Sequence, residues 1–285
     1  MEDELLKWNR MGLIPGPAET LEDFKKRADY CLKLKSDFEK EIDIKNYTFP
    51  EAFSLSLIQE AGEITRPLFD IIPEWTPVIF SNHRLMPWHG GCAWIFQMSK
   101  EEPTAAFFQL RQAFLHASTY LGIYNRKELI AHETAHIGRM LFNEPKFEEL
   151  IAYRTSKSWF RRFISPIIQS PWEANLFIFT LLTSLLVPFF MGFHPEFHFL
   201  WLAPIFLLAV GLIRTCLRQK QFSQCLQNLK KLTQNDDCAH AIIFRLQDHE
   251  IISFAKMPPE RIMEYIHQWK SEELRWKVIA AAYFP

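Results

Sequence analysis

Two histidines four residues apart, with a glutamate beside the first, are the residues in this chain whose spacing could do chemistry. They lie in Leu129-Ile-Ala-His132-Glu133-Thr-Ala-His136-Ile-Gly-Arg139. On a helix, positions i and i+4 share a face, so the imidazoles of His132 and His136 can converge on one metal ion. Glu133 is displaced by one helical step, where it can reach a water on the metal without itself being a ligand. Two histidines, a third protein ligand and one open position make a catalytic zinc site. Zinc brings the pKa of its water toward neutrality, and a nearby carboxylate takes the proton as the water attacks a carbonyl.

The third ligand is sought on the next element. Leu141-Phe-Asn143-Glu-Pro145 reads as a stop, and Lys146-Phe-Glu148-Glu149-Leu-Ile-Ala152-Tyr153-Arg154 as a second helix opened by the proline. If the two helices fold back about Asn143, His136 lies seven residues before the turn and Glu149 six after it. Glu149 then faces the histidines, with Glu148 one step of ~100° away as the alternative. Tyr153, Tyr124, His116 and Arg139 are candidate donors to a developing oxyanion. His83, His89 and His116 precede the motif and read as surface or core-edge residues, any of which could instead complete the site.

On these residues the segment 126–160 resembles the gluzincin group of zinc metallopeptidases, in which His-Glu-x-x-His is followed by a glutamate ligand within Glu-x-x-Ala-Asp. Glu149-Leu-Ile-Ala152-Tyr153 matches the first and fourth positions and departs at the fifth. The gap of 12 residues between His136 and Glu149 is short for the group. The resemblance implies a peptidase holding zinc through His132, His136 and Glu149, with Glu133 as general base; Tyr153 stands where the group has an aspartate that hydrogen-bonds a ligand histidine.

Several elements must position these groups. Asn125 is placed to cap the motif helix, and Leu129, Ile130, Ile137, Met140 and Leu141 give it apolar faces. Residues 1–45 read as a polar helical segment, with Thr20 as a cap. Residues 46–172 read as a zincin-like domain of α+β class. In it, short apolar runs at Thr76–Ser81, Cys92–Gln97 and Thr104–Leu110 predict a small antiparallel sheet ahead of the motif helix. An edge strand there suits an extended peptide substrate.

Two uncharged runs follow, Ala174–Phe193 and Phe197–Ile213, joined by a link too short for a domain. Their lengths predict a transmembrane helical hairpin over 173–213 that places the protein in contact with membrane lipid. Arg154, Lys157, Arg161 and Arg162 precede the hairpin, Arg214, Arg218 and Lys220 follow it, and its outer turn has no Lys or Arg. The positive-inside rule then puts both termini in the cytoplasm. Residues 214–285 read as a helical cytoplasmic region whose first helix, 214–235, projects from the membrane; Asp248 reads as a later N-cap.

Composition bounds the functional classes. A net charge of -1 argues against a nucleic-acid partner. Five cysteines without a C-x-x-C pair predict reduced thiols, and the acidic N-terminus predicts no cleaved signal peptide. The expectation is a membrane-anchored zinc peptidase acting on membrane-proximal peptide or protein substrates. A non-catalytic membrane-tethered scaffold, recruiting a partner through its helical tail, is the alternative.

Overall fold

The computed structural model describes residues 1–41, 48–99, 101–164, 167–168, 170–192 and 194–284. Residues 42–45 of the expected N-terminal segment and Phe193 at the end of the first uncharged run lie outside them. The class is α+β, mainly helical with a small sheet.

Two N-terminal helices, α1 (Glu2–Arg10) and α2 (Leu21–Glu41), precede a third, α3 (Glu51–Phe69). Thr20 caps α2 as expected, its Oγ1 accepting from Asp23 N at 3.1 Å. Helix α3 was not anticipated, because Gly62 and Pro67 punctuate its sequence. Its buried positions Leu57, Ile58, Ala61 and Thr65 nevertheless recur at helical spacing. Pro67 falls in the last turn, next to the left-handed cap at Asp70, where it does little damage.

Strands β1 (Val78–Phe80), β2 (Gly91–Phe96) and β3 (Ala105–Leu110) form one sheet in the order β1-β3-β2. They occupy the three apolar runs, but the sheet is mixed rather than antiparallel. β2 and β3 form an antiparallel pair, while β1 lies along the far side of β3 and runs parallel to it. The chain between β1 and β3 includes all of β2, long enough for the crossover a parallel pair requires. Strand β2 is left at an edge. A two-residue pair, β4 (Thr119–Tyr120) with β5 (Tyr124–Asn125), leads directly into the motif helix α4 (Arg126–Gly138).

Helix α4 stands between two apolar cores. Ile130, Ala131, Ile137 and Met140 join the N-terminal helices and the sheet in one. Ala135 joins the other, built from Phe142, Phe147, Leu150, Ile151 and the C-terminal helices. A helix buried on two faces shows little amphipathic contrast, and its polar residues are gathered on the remaining strip. That strip carries His132, Glu133 and His136. Gly138 ends the helix where an added Cβ would lie 2.8 Å from Phe244 and 2.9 Å from Ile71, so only glycine lets the C-terminal region approach so closely.

The expected second helix is shorter than its sequence suggested. It is the five-residue α5 (Glu148–Ala152), continued by a 3-10 turn over Tyr153–Thr155, and then α6 (Trp159–Ile164). Helix α7 (Pro171–Met191) and the segment from Pro195 into α8 (Leu202–Thr233) are long and apolar enough to cross a membrane. They are held together by Ser184, whose Oγ donates to Leu200 O at 2.9 Å, and at their base by Arg214, which pairs with both oxygens of Glu173 at 2.6 and 2.8 Å.

Helix α8 does not project freely, as residues 214–235 had suggested. It runs unbroken for 32 residues, and its distal part buries Phe222, Cys225, Leu226 and Leu229 in the second core. That apolar face found its partner in α9 (Asp236–Phe244), α10 (Asp248–Phe254), α11 (Pro259–Trp269) and α12 (Leu274–Tyr283). Gln247 rather than Asp248 takes the cap of α10, because Asp248 is occupied accepting from Lys146 N and Phe147 N ahead of α5.

Candidate metal centre

Asn125 sets the start of α4. Its side chain accepts from Glu128 N at 3.2 Å, fixing the helical phase of everything after it. One turn on, the rings of His132 and His136 stand 5.1 Å apart. Glu149, on the first turn of α5, reaches both: its carboxylate lies 3.8 Å from His132 Nε2 and 3.7 Å from His136 Nε2. One donor atom from each of the three falls within 4.8 Å of the others. Ligands of a tetrahedral ion at bond lengths near 2.1 Å stand ~3.4 Å apart, so the three would draw together to enclose one.

His132 is hydrogen-bonded to the backbone of Ala152. His136 Nδ1 pairs with Glu148 Oε1 at 3.1 Å, and the other Glu148 oxygen accepts from Arg139 Nε at 2.7 Å. The Arg139 side chain is fully buried, and its Nη1 donates to the carbonyls of Phe244 and Leu246 at 2.6 and 3.0 Å. A carboxylate on the rear nitrogen of a ligating imidazole fixes its tautomer and raises its basicity. Of the two adjacent glutamates, Glu149 thus joins the histidines in front while Glu148 supports one from behind.

Glu133 faces the edge strand. Its Oε2 accepts from Ala93 N of β2 at 2.8 Å, which orients the carboxylate and ties α4 to the sheet. Glu133 lines a cleft of about 190 Å³ together with His132, Tyr124, Tyr153, Gly91 and Arg161. A second concavity, on the far side of His136, is walled by Ala93, Ile95, Met140 and Glu144. Strand β2 spans both.

Charge in the cluster is finely divided. Burial, then the neighbouring His136, lowers the His132 pKa to about 3. Burial also acts against a charged His136, but its hydrogen bond to Glu148 and the charges of Glu133, Glu148 and Glu149 outweigh it and raise that ring to about 9. Burial pushes the Glu133 carboxyl up, against the opposing pull of His136 and the Ala93 N–H. Glu149 is also raised, by burial first and then by Glu148. Of the three carboxyls, Glu148 alone is lowered, because Arg139 and then His136 overcome its burial. Three carboxylates around one ring make this pocket favourable to positive charge.

The other sequence candidates divide. Tyr153 packs on His132 with ring centroids 4.5 Å apart, and Tyr124 lines the same cleft. His89 lines it too, beside Gly90 and Gly91. His83 and His116 are exposed on their loops and are not among the cleft residues. Arg139, considered as an oxyanion donor, is committed to Glu148 and two carbonyls. Three contributors escaped the sequence reading: the Ala93 N–H, the supporting role of Glu148, and the Phe244 and Leu246 carbonyls. A hint lay in Arg139 itself, a charged residue in an otherwise apolar helix end. The chain matches no protein-family model, no curated protein sequence and no solved structure.

Proposed function

We propose that the protein is a membrane-anchored, zinc-dependent peptidase whose metal is held by His132, His136 and Glu149. The observation that carries this reading is the convergence of the two Nε2 atoms on the Glu149 carboxylate, with Glu133 beside them under an edge strand. Two imidazoles and one carboxylate are a donor set that zinc favours, and the rear nitrogen of His136 is already held by Glu148. Bound there, zinc would polarise a substrate carbonyl and acidify water.

The chain's own residues then do the rest. Glu133, whose carboxyl is raised by burial, accepts a proton from the attacking water and passes it to the departing amine. The Ala93 N–H holds one Glu133 oxygen and so keeps the other aimed into the cleft. The free side of β2, apart from the Ala93 N–H that Glu133 takes, pairs with an extended substrate backbone, which selects peptides over compact substrates. Tyr153 and Tyr124 are the phenols available to the oxyanion that develops on the carbonyl. The two apolar helices are the anchor in this reading, and the basic residues at both ends of the hairpin support a cytoplasmic side for its termini and active site.

The scaffold alternative took its motive from the departure at Tyr153 and the short gap between His136 and Glu149, and it assigns partner recruitment to the helical tail. The apolar faces of that tail are turned inward, with Ile251, Phe254, Ile262, Ile266, Trp276 and Ile279 buried. The enzyme reading is tested with the full chain purified in detergent, comparing wild type with Glu133→Gln on a fluorogenic peptide library. Cleavage by the wild type and its loss in the variant, at equal zinc content, are expected. Equal cleavage by both would remove Glu133 from the mechanism.

A further inference from the structure

Around the cleft mouth, three segments leave large apolar side chains exposed. Trp88 stands next to His89, Leu121 and Ile123 next to Tyr124, and Trp159 and Phe160 next to Arg161; each neighbour named lines the cleft. All five are more than half exposed: 56% for Trp88, 58% and 55% for Leu121 and Ile123, 68% and 61% for Trp159 and Phe160. Isolated exposed apolar residues are ordinary, but five gathered at one opening are not.

The segments are fastened to one another. Tyr120 Oη donates to Pro87 O at 2.6 Å, joining the β4–β5 turn to the Trp88 loop. Arg161 stands 5.8 Å from the Tyr124 ring centroid and 3.9 Å from Glu128, joining α6 to β5 and α4. The rim is a single surface.

Its height relative to the membrane hairpin is fixed as well. Gln219 Nε2 of α8 donates to Arg162 O at the end of α6, and Arg214 Nη2 donates to Ile167 O. The uncharged run of α8 ends at Ile213, and Gln219 lies six residues beyond, roughly 9 Å along the helix. Helix α6 therefore sits at the depth of the headgroups, with Lys157, Arg161 and Arg162 interleaved among its aromatic residues. Aromatic and aliphatic tips mixed with cations are the chemistry of a surface that settles into an anionic lipid interface.

We propose that Trp88, Leu121, Ile123, Trp159 and Phe160 form a membrane-docking rim, seated in the headgroup layer of the bilayer that holds the hairpin, so that the cleft opens at the lipid surface. It deepens the peptidase reading by naming the substrate class, segments that lie on or emerge from a membrane. The docking itself depends only on the rim and the hairpin.

The test uses the full chain with Cys92, Cys216 and Cys238 replaced by serine, reconstituted in phosphatidylcholine/phosphatidylserine nanodiscs. Nitroxides are attached at Ile123→Cys and Phe160→Cys, and at Met98→Cys in the exposed turn after β2 as a reference. Power-saturation measurements with oxygen and a water-soluble nickel chelate read the depth of each label. Labels at 123 and 160 are expected to favour oxygen and report the headgroup level or deeper, while the label at 98 reads as aqueous. Aqueous readings at both 123 and 160 would overturn the proposal. Because depth is read without turnover, an inactive protein with embedded labels would sink the peptidase and leave the rim standing, whereas an active one with aqueous labels would do the reverse.

Discussion

At the scale of single residues, adjacent glutamates have been given opposite tasks by one helical step. Glu149 turns toward the two Nε2 atoms and Glu148 toward the rear of His136. Glu149→Ala is therefore expected to abolish stoichiometric zinc, since it removes one of three donors. Glu148→Gln should retain a weakened site, with affinity lower by about 10–100-fold, the usual effect of losing a carboxylate behind a ligating histidine. Competition with a chromogenic chelator separates the two. Equal losses would mean that both carboxylates ligate or that neither does. The histidines and Glu133 were legible because helical periodicity is local, and Glu149 because a short turn limits where the chain can return. Glu148's partner was not, since Arg139 reaches carbonyls 105 and 107 residues away in sequence. No spacing rule spans that distance.

Among the elements, α4 is the one whose surroundings decide the site. It is clamped by the first core, by the second core and by β2, and its remaining strip faces the cleft. Gly138→Ala is expected to lower stability by about 1–3 kcal/mol, because the methyl group meets Phe244 and Ile71 in a packed region. Thermal unfolding in detergent measures it; an unchanged midpoint would show that the α4–α9 contact is looser than described. Arg139→Met should cost about 3 kcal/mol by the same measurement, since it strands Glu148 without its cation.

A pH effect belongs at this scale too. Tyr283 of α12 donates to Asp70 at 3.0 Å, and burial together with that contact raises its pKa to about 12. The folded state thus favours the neutral phenol over an unfolded chain that ionises near 10. This contribution is complete below pH ~10 and fades as the pH rises toward 12. Tyr283→Phe should flatten the alkaline loss of stability, and an unaltered alkaline limb would exclude Tyr283 as its source. The strands and most C-terminal helices could be read from their apolar runs and caps. Helix α3 was hidden by Gly62 and Pro67, and the parallel placement of β1 follows from a crossover that local patterns do not encode.

Across the whole molecule, the chain leaves the metal-site region, makes two apolar helices and returns to complete the same fold. Helix α8 carries this return, since one unbroken helix is apolar at one end and buried in the second core at the other. The C-terminal region consequently supplies the carbonyls that hold Arg139, and through Glu148 it bears on His136. The sequence announced the hairpin by length and lack of charge, yet it gave no sign that the regions on either side would share a core. Those contacts join residues more than a hundred positions apart, and apolar composition alone does not name partners. The central claim is that His132, His136 and Glu149 hold one zinc ion. X-ray absorption at the zinc edge, on the full chain purified without added chelator, tests it most directly. One zinc per chain in a shell of nitrogen and oxygen at about 2.0–2.1 Å, with imidazole scattering from two rings, is the predicted result. Protein that retains no stoichiometric metal, or a shell containing cysteine sulfur, would contradict it.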